Sequence, residues 1–502
     1  MYSLPNRKVK LETCGSAEET AEVKAFDLDI LERSTEPLAM EGEMRHAGSN
    51  KARHLNRSGV HVTLHHPRSP CSPAAPSPDL DLPAILNHDA ARVLSLDARL
   101  DKSARSSLAR PSAVAAPLSP GSAVGVGNYV ARIGLGTPSR SFSVLVDTGS
   151  SLSWIQCSPC RVSCHPQVGR PFDPAASSTY HPLPCSAAAC DSLQEATLNP
   201  SACSHSGVCI YEASYGDSSF SVGYLSEDTL TFSSASLPGF VYGCGQDNEG
   251  LFGRSDGLIG LARNRLSLLS QFAPSVGNSF AYCLPTDSSA GYLSLGSYDS
   301  DRFAFTPLQS STLDDTLYFV RLAGVSVAGQ ALSVSEASYS AAPTIIDSGT
   351  VITRLPREVY SSLSAAVTAA LKGRGAVPAP AFSILDTCFR GSLRRLAVPA
   401  VEMVFQDGAA LRLAAANVMI DVDDATTCLA FAPAGRVAII GNKQQETYSV
   451  VYDKGAYAVA FLRKDHSKVK STAAALKESY VEIESSDSDG EEYVIIGNCY
   501  SL

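Results

Sequence analysis

The segment Val144-Leu-Val-Asp-Thr-Gly-Ser-Ser151 places an aspartate directly after three apolar residues. An apolar run followed by a glycine-containing turn predicts a buried strand that ends sharply at Asp147. A carboxylate in that position is costly to remove from water, so it needs a partner. The segment Thr344-Ile-Ile-Asp-Ser-Gly-Thr350 repeats the pattern and puts Asp347 in the equivalent place. The repetition predicts that two copies of one turn meet around a shared site.

The surroundings of the two turns are also similar. Leu258-Ile-Gly260 follows the first turn, and Ile439-Ile-Gly441 follows the second. Short apolar runs separated by Gly and Pro dominate from about residue 125 onward, which is typical of many short strands. We therefore predict a mainly β protein built from two duplicated halves.

Composition narrows the class of protein. The 502 residues are enough for two or three domains. A net charge of -10 and a pI near 5.5 argue against a nucleic-acid partner, because phosphate binding needs a basic surface. No apolar run approaches the roughly 18 residues of a membrane span, so none is expected.

The chain divides into four predicted regions: an N-terminal extension over 1–120, a first half over 121–305, a second half over 306–463 and a charged, disordered tail over 464–502. Within the extension, Ala84 to Leu100 has helix-like apolar spacing with Arg92 and Arg99 interleaved. Ser103 to Pro120 has the composition of a flexible, cleavable linker. The extension is either a disordered tail or a removable prosegment, and the sequence that follows the linker favours the prosegment.

The cysteines concentrate in an insert over 157–209. Eleven lie between residues 121 and 465, at positions Cys157, Cys160, Cys164, Cys185, Cys190, Cys203, Cys209, Cys244, Cys283, Cys388 and Cys428. Cys157 and Cys160 with His165 and His181 could bind zinc. Disulfides are favoured, because the Cys-x2-Cys spacing is not repeated and an insert with little apolar content needs cross-links. Since eleven is odd, we expect Cys244 or an insert cysteine to be unpaired, unless Cys499 reaches back.

Two adjacent carboxylates support a defined chemistry. They cannot easily both ionise, so one retains a proton. Such a pair can activate water for attack on a carbonyl carbon and then protonate the leaving amine. Gly149 and Gly349 allow close backbone approach and can donate to the carboxylates. Ser150 and Thr350 are expected to donate to the outer carboxylate oxygens. A single Asp-Thr-Gly is usually an ordinary turn, but a matched pair favours catalysis.

These features together resemble the pepsin-like aspartic endopeptidases, and in particular the plant nepenthesin-like group. The resemblance rests on the two aspartate turns, the Tyr215-Gly216 pair, the two apolar-apolar-Gly elements and the cysteine-rich insert. Gly243-Cys-Gly245 and Tyr282-Cys283 also match. The similarity covers about residues 125 to 462, with a weaker match to a plant prosegment from Val60 to Arg99.

The resemblance implies a bilobal pepsin-like fold, with two β-rich lobes facing across a cleft. Asp147 and Asp347 would form the catalytic dyad, and Thr148 and Ser348 would bond across the lobe interface beneath it. Neither a cofactor nor a metal is expected.

A flap over the cleft is also implied. Tyr215 and Gly216 would lie on this hairpin flap, and Trp154 would support the tyrosine. Simple core packing is an equally open interpretation of Trp154.

The implied function is an aspartic-type endopeptidase made as a zymogen, active on proteins or peptides at acidic pH and monomeric. The alternative is a catalytically silent relative that binds or inhibits another protein, which the two intact aspartate motifs disfavour. The cysteines indicate an oxidising compartment, so we expect a secreted, extracellular or vacuolar protein, with a plastid as a further possibility. Residues 1–20 show no apolar signal-peptide core.

Overall fold

The computed structural model describes residues 60–66, 69, 72–73, 82–106, 129–215, 219–232, 235–250, 252–286, 290–296, 298, 301, 303–311 and 314–462. The expectations for Gly216, for Cys499 and for the charged tail fall outside these residues.

The described part of the chain is dominated by short strands. Those up to residue 307 are β1 (Val60–His65), β2 (Val130–Leu135), β3 (Arg140–Asp147), β4 (Trp154–Gln156), β5 (His181–Pro182), β6 (Ala202–Cys203), β7 (Cys209–Ser214), β8 (Phe220–Phe232), β9 (Ala235–Glu249), β10 (Gly257–Gly260), β11 (Ser279–Cys283), β12 (Ala290–Leu295) and β13 (Phe303–Pro307). Those that follow are β14 (Phe319–Val320), β15 (Leu322–Val327), β16 (Gln330–Ala331), β17 (Thr344–Ile346), β18 (Thr353–Leu355), β19 (Pro378–Ala379), β20 (Cys388–Arg390), β21 (Val401–Phe405), β22 (Ala410–Leu413), β23 (Met419–Asp423), β24 (Thr426–Leu429), β25 (Phe431–Pro433), β26 (Ala438–Ile440), β27 (Ser449–Asp453) and β28 (Ala458–Leu462).

The helices are fewer and mostly short. They are α1 (Leu82–Ser106), α2 (Ala188–Asp191), α3 (Leu193–Thr197), α4 (Leu268–Val276), α5 (Glu336–Tyr339), α6 (Arg357–Lys372), α7 (Ala415–Val418) and α8 (Asn442–Gln445). None of the helices in the described ranges has the length and apolar character needed to cross a membrane. The predicted mainly β fold is confirmed.

The two aspartate turns end two equivalent strand pairs. In the first half β3 runs parallel to β10, with Val146 opposite Ile259. In the second half β17 runs parallel to β26, with Ile346 opposite Ile440. The apolar-apolar-Gly elements of the sequence are therefore the strands that flank each aspartate, which explains why they repeat together.

The N-terminal extension is part of the largest sheet. This sheet has the order β13-β28-β27-β11-β12-β1-β2-β3-β10-β4-β9-β8-β7-β6, so it also joins strands from both halves. Strand β1 lies between β12 and β2, with Val60 opposite Leu295 and Leu64 opposite Ala131. Buried Val60, Val62 and Leu64 belong to the main apolar core. This pairing is incompatible with a loose tail at β1.

Helix α1 packs its apolar face against the second half of the chain. Leu82 and Leu86 pack in one cluster with Ile352 and Leu385. Val93, Leu96 and Leu100, which follow from about two turns beyond Leu86, pack in a second cluster. This cluster also contains Leu317, Phe319, Ile345, Val437 and Ile439. The predicted helix over Ala84 to Leu100 is thus longer by a few residues at each end. Asp89 and Arg92 lie between these two clusters and contact the second aspartate turn.

Disulfides cross-link the cysteine-rich insert internally and to the sheet, and one further disulfide lies in the second half of the chain. The pairs are Cys157–Cys244, Cys160–Cys164, Cys185–Cys203, Cys190–Cys209 and Cys388–Cys428. Cys283 is disulfide-bonded as well. The expectation that Cys244 or an insert cysteine is unpaired is wrong, because a cysteine on β9 closes the insert by pairing with its first residue. Bonded Cys157 and Cys160 are also unavailable as zinc ligands.

Candidate active site

Asp147 and Asp347 lie at the ends of the two equivalent strand pairs and are both fully buried. The turn after each strand supplies a backbone donor to its own aspartate. Gly149 N donates to Asp147 Oδ1 at 3.0 Å, and Gly349 N donates to Asp347 Oδ1 at 3.1 Å. Each half therefore presents one carboxylate in the same manner, as the duplicated sequence predicts.

At each of the two glycines the turn passes close to the carboxylate of the other half. A Cβ atom added to Gly149 would lie 2.8 Å from Asp347 Oδ1, and one added to Gly349 would lie 2.5 Å from Asp147 Oδ1. Both distances are under 3.0 Å, which real Cβ atoms essentially never show. Glycine is therefore required at both positions so that each turn can pass beside the carboxylate of the other half.

Hydroxyl groups join the two turns beneath the carboxylates. Ser348 N donates to Thr148 Oγ1 at 2.8 Å, and Thr148 N donates to Ser348 Oγ at 3.2 Å. The two hydroxyl oxygens are 3.3 Å apart. These reciprocal contacts are the ones that the family resemblance implies for Thr148 and Ser348.

The two hydroxyl residues that follow the glycines behave differently. Thr350 Oγ1 donates to Asp347 Oδ2 at 2.6 Å. Ser150 Oγ is buried and has no hydrogen-bond partner among the described residues. The expectation of an outer donor is therefore met by Thr350 and is wrong for Ser150.

Tyr215 stands at the edge of the same site, at the end of β7. Trp154 Nε1 donates to Tyr215 Oη at 2.9 Å. The rings of Trp154 and Phe252 meet edge to face at 4.7 Å, and Tyr215 meets Phe252 at 5.6 Å. Trp154 thus supports Tyr215 and is fully buried at the same time, so the two interpretations of this tryptophan are compatible.

Arg92 of helix α1 occupies the space in front of both aspartates. Its Nη2 donates to Asp147 Oδ1 at 2.6 Å and to Asp347 Oδ1 at 3.0 Å. Its Nε donates to Asp347 Oδ2 at 3.0 Å, and its Nη1 lies 3.4 Å from Asp147 Oδ2. One planar guanidinium therefore bridges both carboxylates and fills the space directly in front of them.

This arrangement changes the ionisation of the site. Burial alone would raise the pKa of Asp347, but the charge of Arg92 and the hydrogen bonds from Arg92, Thr350 and Gly349 outweigh burial and lower it. Burial likewise opposes the charge of Arg92, but the two aspartates outweigh it, so its pKa is raised. The contact is that of a buried cation with two acidic partners, and its strength depends on Asp347 remaining ionised.

Three further charged residues of α1 fix the helix around Arg92. Arg99 Nε donates to Asp314 Oδ2 at 2.5 Å, and Arg99 Nη1 donates to the carbonyl oxygen of Gly149 at 2.8 Å. Asp97 Oδ1 accepts from Val437 N at 3.0 Å.

The third residue, Asp89, has the most buried contacts. It accepts from Val351 N and pairs with Arg354 Nη2 at 2.7 Å. Both side chains of this ion pair are almost completely removed from solvent. The helix is therefore fixed to both halves by specific polar contacts as well as by its apolar face.

The amino-acid sequence predicts the helix but not these contacts. Arg92 and Arg99 were evident only as charges within an apolar spacing. Asp89 has the same signal, since it lies one turn before Arg92 on the buried stripe. A charge at a core position of a helix must find a partner, but Asp347 lies 255 positions from Arg92, and local spacing does not identify it.

Known proteins with similar sequences are aspartic proteases. An aspartyl protease family protein of Arabidopsis thaliana is 39% identical over 417 residues, which span 81% of this chain and 86% of that protein. Aspartic proteinase nepenthesin-2 of Nepenthes gracilis is 36% identical over 67% of this chain and 78% of its own length.

Family and structural comparisons agree on the fold. The family described as Xylanase inhibitor N-terminal matches residues 129–297, and the one described as Xylanase inhibitor C-terminal matches residues 317–463. Among solved structures, basic 7S globulin from soybean aligns with a TM-score of 0.55 at 21% identity, covering 68% of this chain and 94% of that one. At this identity the alignment supports the bilobal fold alone.

Proposed function

Because the chain belongs to the pepsin-like aspartic protease family, in its nepenthesin-like plant group, we propose that it is an aspartic-type endopeptidase made as an inactive zymogen. Asp147 and Asp347 form the catalytic dyad of the proposed enzyme. Residues up to about 120 form its prosegment, with α1 covering the cleft. The observation that carries the proposal is Arg92, which bridges both carboxylates at 2.6 and 3.0 Å.

The reaction follows from the pairing of the carboxylates. When α1 has left, Arg92 no longer faces the dyad, so one aspartate keeps a proton and the other is ionised. The ionised aspartate takes a proton from a bound water as the water attacks the peptide carbonyl carbon, while the protonated aspartate donates to the carbonyl oxygen. Collapse of the tetrahedral intermediate then breaks the C–N bond as the nitrogen is protonated.

Activation at acidic pH follows from the same charges. Arg92 lowers the pKa of Asp347 while α1 is docked. Once α1 leaves, the carboxylates face each other and one of them takes up a proton at higher pH. A group whose pKa is lower in the docked state stabilises docking at high pH and ceases to do so as the pH falls. Acid therefore releases α1 and exposes the site.

A catalytically silent binding protein is the second candidate. It is favoured by one observation, namely that the two matching families are described as xylanase inhibitors. Against it stand two complete aspartate turns that meet with both carboxylates buried and hydrogen-bonded. We therefore place the endopeptidase first.

The test is cleavage of a protein substrate by the full chain after acidification, with Asp147→Asn and Asp347→Asn beside the wild type. Each variant keeps the side-chain volume and removes the charge on which water activation depends. We expect losses of at least a thousandfold, and inhibition of the wild type by pepstatin. Asp424→Asn, on an exposed turn, is the matched control and retains full activity. An acid-treated wild type without cleavage would favour the binding protein.

The compartment is part of the proposal. Five described disulfides and a bonded Cys283 indicate folding outside the reducing cytosol. A secreted or vacuolar monomer that acts on proteins or peptides is consistent with them. Fractionation of the tissue of origin, followed by non-reducing peptide mapping, tests this assignment.

A further inference from the structure

A cavity of about 250 Å³ lies beside the dyad, between helix α1 and the first half of the chain. Its lining includes Asp147 and the apolar side chains of Leu152, Tyr215, Phe252 and Leu258. Among the described residues that line it, the charged side chains other than Asp147 all belong to α1. When the helix leaves, the described lining is uncharged except at the dyad.

One wall of this pocket comes from the cysteine-rich insert. The consecutive residues Ala196, Thr197, Leu198 and Asn199, at the end of α3, line it. This wall is fixed to the first half of the chain, because the disulfide Cys190–Cys209 joins α2 to β7.

Asn199 adds a second attachment between the wall and β7. Its Nδ2 donates to the carbonyl oxygen of Glu212 at 3.2 Å and to Ser214 Oγ at 3.1 Å. Both acceptors lie on β7, so the wall is held in place independently of the helix.

Leu198 has an unusual backbone conformation. It caps α3 with φ 58° and ψ 14°, in the left-handed region. Helices that end in this way usually have Gly or Asn there, because a Cβ atom makes the conformation unfavourable. A leucine that retains this conformation at a position that lines the cavity indicates that the side chain has a use.

We propose that the insert supplies one wall of a substrate side-chain pocket and that Leu198 limits the size of that pocket. The pocket accepts an uncharged, apolar side chain of a residue next to the cleaved bond, since it lies beside Asp147 and presents apolar surface. This inference rests on the proposed endopeptidase function and adds the insert to the determinants of its specificity.

The test uses Leu198→Gly in the acid-activated full chain. Glycine suits the left-handed backbone, so the fold is retained while the pocket is enlarged. Peptides that differ only in the residue next to the cleaved bond (Ala, Leu or Trp) are compared by kcat/KM. We expect the Trp-to-Leu ratio to rise roughly tenfold, the size expected for a change of a few methylene groups in an apolar pocket.

Ala328→Gly is the matched control. Ala328 has φ 51° in the exposed turn between β15 and β16, distant in the fold from the pocket lining. The same gain in backbone freedom there leaves the ratio unchanged.

Two results would overturn the inference. One is an unchanged ratio in a folded Leu198→Gly variant, and the other is an equal loss of kcat/KM for all three peptides, which would reflect general damage. If the wild type cleaves none of them, the proposed function fails instead. In that case the linker of the wild type and of the Leu198→Gly variant is cut with an added protease, and binding of the same three peptides is measured. An unchanged preference between the Trp and Leu peptides in the variant then overturns the inference too.

Discussion

Thr350 and Ser150 follow the two aspartates at equivalent positions but make different contacts. Thr350 donates to Asp347 at 2.6 Å, whereas Ser150 Oγ has no partner in the described part of the chain. The hydrogen bond favours the ionised form of Asp347, so it contributes to the lowered pKa. The two aspartates are therefore inequivalent although their sequences are duplicated.

This inequivalence gives a prediction at the dyad. In the activated enzyme Thr350→Val removes the donor, so the pKa of Asp347 rises and the acid limb of the pH–activity profile moves to higher pH. A hydrogen bond to a charged group predicts a shift of about one pH unit. Ser150→Ala, the control at the equivalent position, leaves the limb unmoved. An equal shift in both variants would contradict the assignment.

Residue-scale features were the most predictable from sequence. The aspartates and their glycines follow from a repeated motif with few allowed geometries, and the Thr148–Ser348 contact follows from the family resemblance. Ser150 is the exception, because side-chain rotamers depend on neighbours that the motif does not specify. Arg92 could not be placed, since its role depends on how a helix from the extension docks on a cleft formed by distant segments.

Helix α1 is the element on which the proposed latent state depends. Burial raises the pKa of Asp89, against the opposing effects of Arg354 and the backbone donors of Val351 and Ile352. A carboxyl whose pKa is raised in the docked state contributes stability that is fully present below its usual pKa and is lost as the pH rises through the raised value. Acid therefore does not release Asp89, and the acid response belongs to Arg92 and the dyad.

The helix yields a second prediction. Asp89→Ala leaves buried Arg354 and two backbone N–H groups without their acceptor, which costs about 3–5 kcal/mol of docking free energy. We expect processing of the full chain to be at least tenfold faster, at acidic pH as well as near neutrality. Gel electrophoresis after timed acidification measures this rate. Leu94→Ala, on the exposed side of the same helix, should process like the wild type; acceleration in both would refute a specific anchor.

Helix α1 and the strands also show how far sequence patterns predict the fold. Apolar spacing predicted α1, and glycine-punctuated runs predicted the strands beside each aspartate. No local sequence pattern predicts that β1 inserts between β12 and β2, because strand pairing depends on the arrangement of the whole sheet. The odd number of cysteines led to the wrong prediction of an unpaired cysteine for the same reason, since disulfide pairing depends on which strands become neighbours.

At the scale of the whole molecule, the disulfides differ in the length of chain that they close. Cys157–Cys244 spans 87 positions and joins the insert to β9, whereas Cys160–Cys164 spans 4. Cross-links that close longer loops restrict the unfolded chain more. Both cysteines of the longer link are completely buried.

The third prediction concerns stability. Replacing Cys157 and Cys244 together by alanine should lower the free energy of unfolding by about 4–5 kcal/mol, against about 2 kcal/mol for the Cys160 and Cys164 pair. Chemical denaturation of the unprocessed chain near neutral pH, monitored by the single tryptophan, measures both. Equal losses would show that loop closure is not the dominant effect.

The central claim is that Arg92 keeps an intact aspartic dyad inactive, and the pH at which the full chain first cleaves a peptide tests it most directly. Arg92→Gln removes the cation from both carboxylates, so cleavage should begin at least one pH unit higher than in the wild type. Arg170→Gln, at an exposed arginine of the insert, should behave like the wild type. Onset at the same pH in all three chains would contradict the account.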